Sequence, residues 1–103
     1  MMVKIAMQRT ETTAVLAAHA DQLRALGIGA LFLFGSTARD EAGPGSDVDL
    51  FFDPVRPGLS LFDVMDVRDR ISGLLHRPVD VMTRSSLHPY LRQRIEAEAV
   101  RVF

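Results

Sequence analysis

Gly35-Ser36-Thr37-Ala38-Arg39-Asp40-Glu41-Ala42-Gly43-Pro44-Gly45-Ser46-Asp47-Val48-Asp49-Leu50 is the stretch on which the reading of this chain turns. An apolar run at 30–34 feeds its Gly-Ser turn, and a second apolar run follows Asp49. A Gly-Ser turn at a strand end offers backbone N–H groups and a hydroxyl to a phosphate. Alternate strand positions face the same side, so Asp47 and Asp49 point together, with side-chain origins about 6 to 7 Å apart. Paired carboxylates suit hard cations that take oxygen ligands, Mg²⁺ among them. A phosphate cradle beside a carboxylate platform is the equipment of phosphoryl or nucleotidyl transfer. Each half alone is weak, since Gly-Ser is an ordinary turn and Asp-x-Asp is often a solvated strand end. Joined at this spacing, the four identities match a given start by chance on the order of one time in 50,000.

The rest of the composition narrows the setting. A chain of 103 residues holds one domain, 1–103, and 48 % hydrophobic residues suffice for a core. It has no cysteine, hence no disulfide framework and no thiolate metal site, which points to a reducing, cytoplasmic location. No apolar run approaches the roughly 20 residues of a membrane span, and residues 1–10 lack the apolar centre of a signal peptide. A net charge of −1 is far from the basic footprint of a nucleic-acid binder, so extended nucleic-acid binding is not expected.

The pattern along the chain alternates. Residues 2–5 are ambiguous. A helix is predicted over 11–26, capped by Thr10 and stopped at Gly27, with Val15, Leu16, His19, Leu23 and Leu26 on one face. Buried strands follow at 30–34, 47–52 and 79–82, and one or two helical turns at 37–41. Ser60 caps a helix to about Leu75, with Asp63 as its capping-box acid and Val64, Val67, Ile71, Leu74 and Leu75 as its buried stripe. Ser86 or His88 opens a last helix, with Pro89 in its first turn, and 99–103 form an edge strand. The class is α/β: a small mixed sheet of about four strands flanked by helices.

The signature resembles that of the polymerase-beta-like nucleotidyltransferase superfamily, and within it the minimal nucleotidyltransferases that act as antitoxins to HEPN-type ribonuclease toxins. The resemblance extends to Pro78-Val79-Asp80-Val81-Met82, which matches the strand carrying that family's third carboxylate, and to a closing helix and strand over 89–103. It covers roughly residues 28–103, and departs at Asp40, where family members often carry glycine. It implies the polymerase-beta-like nucleotidyltransferase fold. It also implies two Mg²⁺ ions about 3.5 to 4 Å apart, with Asp47 and Asp49 on both and Asp80 on the one that activates the attacking oxygen. ATP is the implied nucleotide donor. The implied reaction is transfer of AMP to a tyrosine of a cognate HEPN-type toxin, since a chain this small has no room for an acceptor-binding domain of its own.

Bland readings stand beside these. Alone, Asp80 between Val79 and Val81 is a surface aspartate at a strand edge; beside Asp47 and Asp49 it completes a carboxylate set. Gly35 clears the way for a close approach to the backbone, and Ser36 offers its hydroxyl and N–H. Arg39, one helical turn past Ser36, either holds the β- and γ-phosphates or pairs with Asp40, Glu41 or Asp47. Ser46 either caps the second strand or touches a metal-bound water. His19 is a satisfied core histidine, and Tyr90 is either a partner contact or, the reading preferred, a packing residue with its hydroxyl at the surface. Arg92, Arg94, Glu96 and Glu98 read as a solvated helix face. Two other functions remain open: a module that neutralises its partner by binding alone, and a small-molecule nucleotidyltransferase. Self-association is open as well, since so small a sheet could bury an edge against a second copy.

Overall fold

In the computed structural model, which describes residues 8–103, the apolar runs become a four-stranded mixed sheet in the order β3-β2-β1-β4. The strands are β1 (Ile28–Phe34), β2 (Val48–Pro54), β3 (Val79–Thr83) and β4 (Val100–Arg101). β1 runs antiparallel to β2 and β4, and β2 runs parallel to β3. The helices are α1 (Arg9–Ala18), α2 (Ala20–Ala25), the single turn α3 (Gly35–Ala38), α4 (Leu61–Leu75) and α5 (Pro89–Glu98). A parallel pair needs a crossover, and α4 supplies it between β2 and β3.

Strand alternation sorts the side chains between two faces. Leu31, Leu33, Val48, Leu50, Phe52, Val79 and Val81 join Leu16, Leu23, Val67, Ile71 and Leu75 of the helices in the main core. The intervening residues form a smaller cluster on the opposite face: Phe34, Phe51 and Leu87, with Phe32, Met82, Ile95 and Ala99 against them. α5 covers that second face. Asp49 and Asp80 alternate with the main-core residues of β2 and β3, so the carboxylates and α5 share one side of the sheet.

The helix at 60–75 forms as its sequence dictates: Ser60 Oγ accepts from the Asp63 amide at 3.2 Å, and Asp63 Oδ2 accepts from the Ser60 amide at 2.9 Å. α5 starts at His88 rather than Ser86, the His88 ring accepting from the Tyr90 amide, while Ser86 closes a short 3-10 turn. The ladder of β4 continues past its two residues, with Val102 N donating to Leu31 O and Leu31 N to Phe103 O.

The helix expected over 11–26 is two helices. His19 Nδ1 lies 2.8 Å from Val15 O, and the His19 amide turns to Leu16 O. With the side chain engaging the carbonyl that its own amide would use, the ladder breaks at this residue. His19 is thus satisfied, as expected. The helix begins at Arg9 and its N-cap is Gln8 rather than Thr10. The Gln8 amide donates to Glu11 Oε2, and the Gln8 side chain brackets the backbone of Ala42. The ambiguous stretch 2–5 lies outside the described residues.

Candidate active site

The site gathers where β1 ends in a turn against the start of β2. Phe34, the last residue of β1, pairs with Asp49. The chain then enters α3 through Gly35, whose φ of +74° lies in the left-handed region that glycine adopts without strain. A β-carbon at Gly35 would collide with Asp49 Oδ2 and lie 3.2 Å from Asp49 Cγ. The glycine therefore makes room first for a carboxylate of the site itself.

Asp49 and Asp80 are register partners on the parallel strands β2 and β3. Asp49 is half-buried; Asp47, one residue ahead of β2, and Asp80 are exposed. Burial pushes the Asp49 carboxyl above its usual range, and the neighbouring charges of Asp80 and Asp47 push it the same way. The three carboxylates thus share one electrostatic neighbourhood. Among the described residues, no three Asp, Glu or His side chains close into a ligand cluster on their own. The donor chemistry fits a hard divalent cation: oxygen ligands only, mutually repelling, one of them partly desolvated beside a glycine cradle.

Two further contacts hold this geometry, and the sequence did not announce either. Arg77, just before β3, donates to Ser46 O at 2.6 Å, and the Val48 amide donates to Pro78 O. These bonds tie the approach to Asp47 to the approach to Asp80. Ser46 Oγ accepts from the Gly43 amide at 2.9 Å, so this serine staples its own loop.

Glu98 is the second. At the end of α5, it accepts from the Gly35 amide at 3.1 Å and from Arg39 Nη1 at 3.1 and 3.2 Å. Arg39 also donates to Glu41 at 3.3 Å. These hydrogen bonds, to Glu41 and then to Glu98, raise the Arg39 pKa above its ordinary value. Of the partners considered for Arg39, Glu41 is realised, and Glu98 joins it from 59 residues away. Ser36 lies in α3 between Gly35 and the buried Thr37.

The helix face read as solvated is only partly so. Arg92 pairs with Glu96 across one helical turn, but Glu96 also receives Arg84, which in turn grips Asp53 at 2.8 and 2.9 Å. Tyr90 is 91 % exposed and not a packing residue: it lies in the first turn of α5, a helix with no fully buried residue. Asp40 adopts φ +57°, in the left-handed region that a glycine would take without strain. Here its carboxylate repays the strain locally by accepting from the Arg9 amide at the start of α1. No helix among the described residues is long and apolar enough to cross a membrane.

Residues 16–102 match the family model of the nucleotidyltransferase domain. A candidate protein adenylyltransferase of Methanocaldococcus jannaschii is 40 % identical over 70 residues, 68 % of this chain and 74 % of that one. The protein adenylyltransferase MntA of Thermococcus cleftensis is 32 % identical over 93 residues, 89 % of this chain and 93 % of that one. A solved structure described as a candidate minimal nucleotidyltransferase superposes with a TM-score of 0.70 at 34 % identity, covering 89 % of each chain. The fold alone is shared, at 16 % identity and a TM-score of 0.64, with a Shewanella oneidensis complex of a tri-AMPylated HEPN toxin and an MNT antitoxin, over 88 % of this chain and 71 % of that one.

Proposed function

This chain belongs to the nucleotidyltransferase domain family, and from that premise we propose that it moves AMP from ATP to a tyrosine hydroxyl of a partner HEPN-type toxin, silencing it as its antitoxin. The observation that carries this reading is the junction of the Gly35 turn with Asp49 and its register partner Asp80. The names of the adenylyltransferase relatives support it.

In this reading the Gly35 amide, Ser36 and Arg39 hold the outer phosphates, aligning the α-phosphorus over Asp49. The acceptor oxygen bonds to the α-phosphorus as the bond to the β-phosphate bridge breaks, and pyrophosphate leaves. Asp80, exposed on β3, faces the incoming hydroxyl and takes up its proton. Asp47, Asp49 and Asp80 would hold divalent cations such as Mg²⁺, which supply charge neutralisation and make the hydroxyl more acidic. Arg39 stays cationic throughout and meets the charge that builds on the leaving pyrophosphate.

The test is intact mass. The chain is incubated with Mg²⁺, ATP and the protein encoded beside it, and both are weighed. A gain of whole AMP units on the partner, abolished by Asp47→Ala, is the expected result. An Asp47→Ala, Asp49→Ala double variant that neutralises the partner at equal dose would instead make binding alone the mechanism.

A further inference from the structure

The inner face of α5 is built against the Gly35 turn. Leu91, Arg94, Ile95 and Glu98 fall at i, i+3, i+4 and i+7, one side of a helix. With Phe34, Gly35 and Arg39 they line a cavity of about 240 Å³. A carboxylate fills its donor corner. Glu98 is only 27 % exposed and takes both the Gly35 amide and the Arg39 guanidinium. A left-handed glycine amide paired with a guanidinium is a donor set for an anion of phosphate type. In the free chain that anion is the protein's own. On the same wall, one turn before Glu98, stands Arg94, which makes no hydrogen bond or ion pair among the described residues.

Charge makes the two occupants exclusive. Glu98 already adds to the negative charge bearing on Asp49. A triphosphate brought to the Gly35 amide would meet Glu98 on the same donors and repel it. We propose that Glu98 is a built-in stand-in for the nucleotide's phosphates, holding the Gly35 amide and Arg39 until a triphosphate displaces it, and that Arg94 then joins Arg39 as a second phosphate-binding cation. This rests on the reading of the site as a nucleoside triphosphate site. It makes α5, rather than the turn alone, a wall of that site, and makes nucleotide affinity a competition with an internal carboxylate.

The two residues pull in opposite directions, which is what the experiment reads. Calorimetric titration of the full-length chain with ATP and Mg²⁺, without any partner protein, gives Kd for wild type, Glu98→Gln and Arg94→Gln. Loss of the competing charge in Glu98→Gln is expected to tighten ATP about three- to tenfold, the range of a partly exposed charged pair plus one amide bond. Arg94→Gln is expected to weaken ATP about fivefold with its melting temperature unchanged. If Glu98 merely braces the turn, Glu98→Gln lowers the melting temperature and weakens ATP together, which overturns the proposal. An unchanged Kd in a folded Glu98→Gln, or in Arg94→Gln, overturns it as well. Should Glu98→Gln fail to fold, Glu98→Asp, which withdraws the carboxylate by one methylene, is measured instead; tightening upholds the proposal and anything else overturns it. Wild-type chain that binds no ATP sinks the triphosphate reading itself, an outcome distinct from any difference between variants.

Discussion

Gly35 and Asp49 fit together only because Gly35 lacks a side chain: the left-handed turn places the glycine where any β-carbon would meet the Asp49 carboxylate. Gly35→Ala should therefore separate folding from function. The left-handed backbone costs about 1 to 2 kcal/mol for a residue with a β-carbon. The Asp49 carboxyl, near the end of a short side chain, rotates away. The expected outcome is a folded protein with a modestly lower melting temperature and a transfer rate down at least about 100-fold, as misplacement of a reacting group by about 1 Å produces. Rate and melting temperature measured on one preparation check this.

Asp49→Asn should act in the opposite sense on stability. In the metal-free chain the Asp49 charge is opposed by burial and by Asp80 and Asp47. Removing that charge is expected to raise the melting temperature at pH 7 in EDTA by a few degrees while abolishing transfer. Added Mg²⁺ should raise the wild-type midpoint, because a ligand of the native state stabilises it, and leave Asp49→Asn nearly unmoved. Thermal scans with and without Mg²⁺ decide it.

The Arg84 cluster sets an acid limit. Arg84 grips Asp53 and Glu96 and lies over the stacked rings of Phe32 and Phe51, 4.8 and 5.0 Å from their centres. Arg84 holds the Glu96 carboxyl below its usual range. A carboxylate lowered on folding contributes stability that is complete above its unfolded pKa, about 4.3. That contribution is lost as pH falls through the lower folded value. Urea midpoints at pH 7 and pH 3 should therefore differ less in Glu96→Gln than in wild type. Arg84→Lys keeps the charge but loses the two-pronged grip and the ring contact, and should cost about 1 to 2 kcal/mol.

Thr12 sits in α1 fully buried, and its hydroxyl has no hydrogen-bond partner among the described residues. Thr12→Val replaces the hydroxyl with a methyl of the same shape. It should stabilise the protein by about 1 kcal/mol, read as a shift of the urea midpoint at constant slope, with transfer activity unchanged.

His76 ends α4 in the left-handed conformation, φ +54°. Glycine takes that conformation freely, so His76→Gly should gain up to about 1 kcal/mol in denaturant unfolding.

What could be read beforehand follows from the range of the physics. Period-two and period-3.6 patterns are local, so the strands, α4 with its Ser60–Asp63 box, and the alternation placing Val79 and Val81 opposite Asp80 were legible. The His19 break was not, because it depends on one imidazole reaching one carbonyl inside an otherwise helical pattern. Glu98 was missed for the opposite reason. It lies 63 residues from Gly35, and nothing near it in sequence distinguishes it from a solvated glutamate. Only the packing of α5 on the second sheet face brings it to the turn. Arg77 is alike, 31 residues from the carbonyl it holds. Asp40 is intermediate: its departure from glycine was visible, while its service to the first helix needed the fold.

Among the described residues, β3 is hydrogen-bonded to a neighbour on one side only, and Asp80 lies within its five residues. An open strand edge is a template for another chain, and a charge on it is a common deterrent, because a second strand laid alongside must strip water from that charge. The carboxylate assigned to the acceptor hydroxyl thus also guards the solubility of the chain. A neutral residue at position 80 would remove both, so Asp80→Ala is expected to lose transfer and to aggregate more readily than wild type, which light scattering at matched concentration checks.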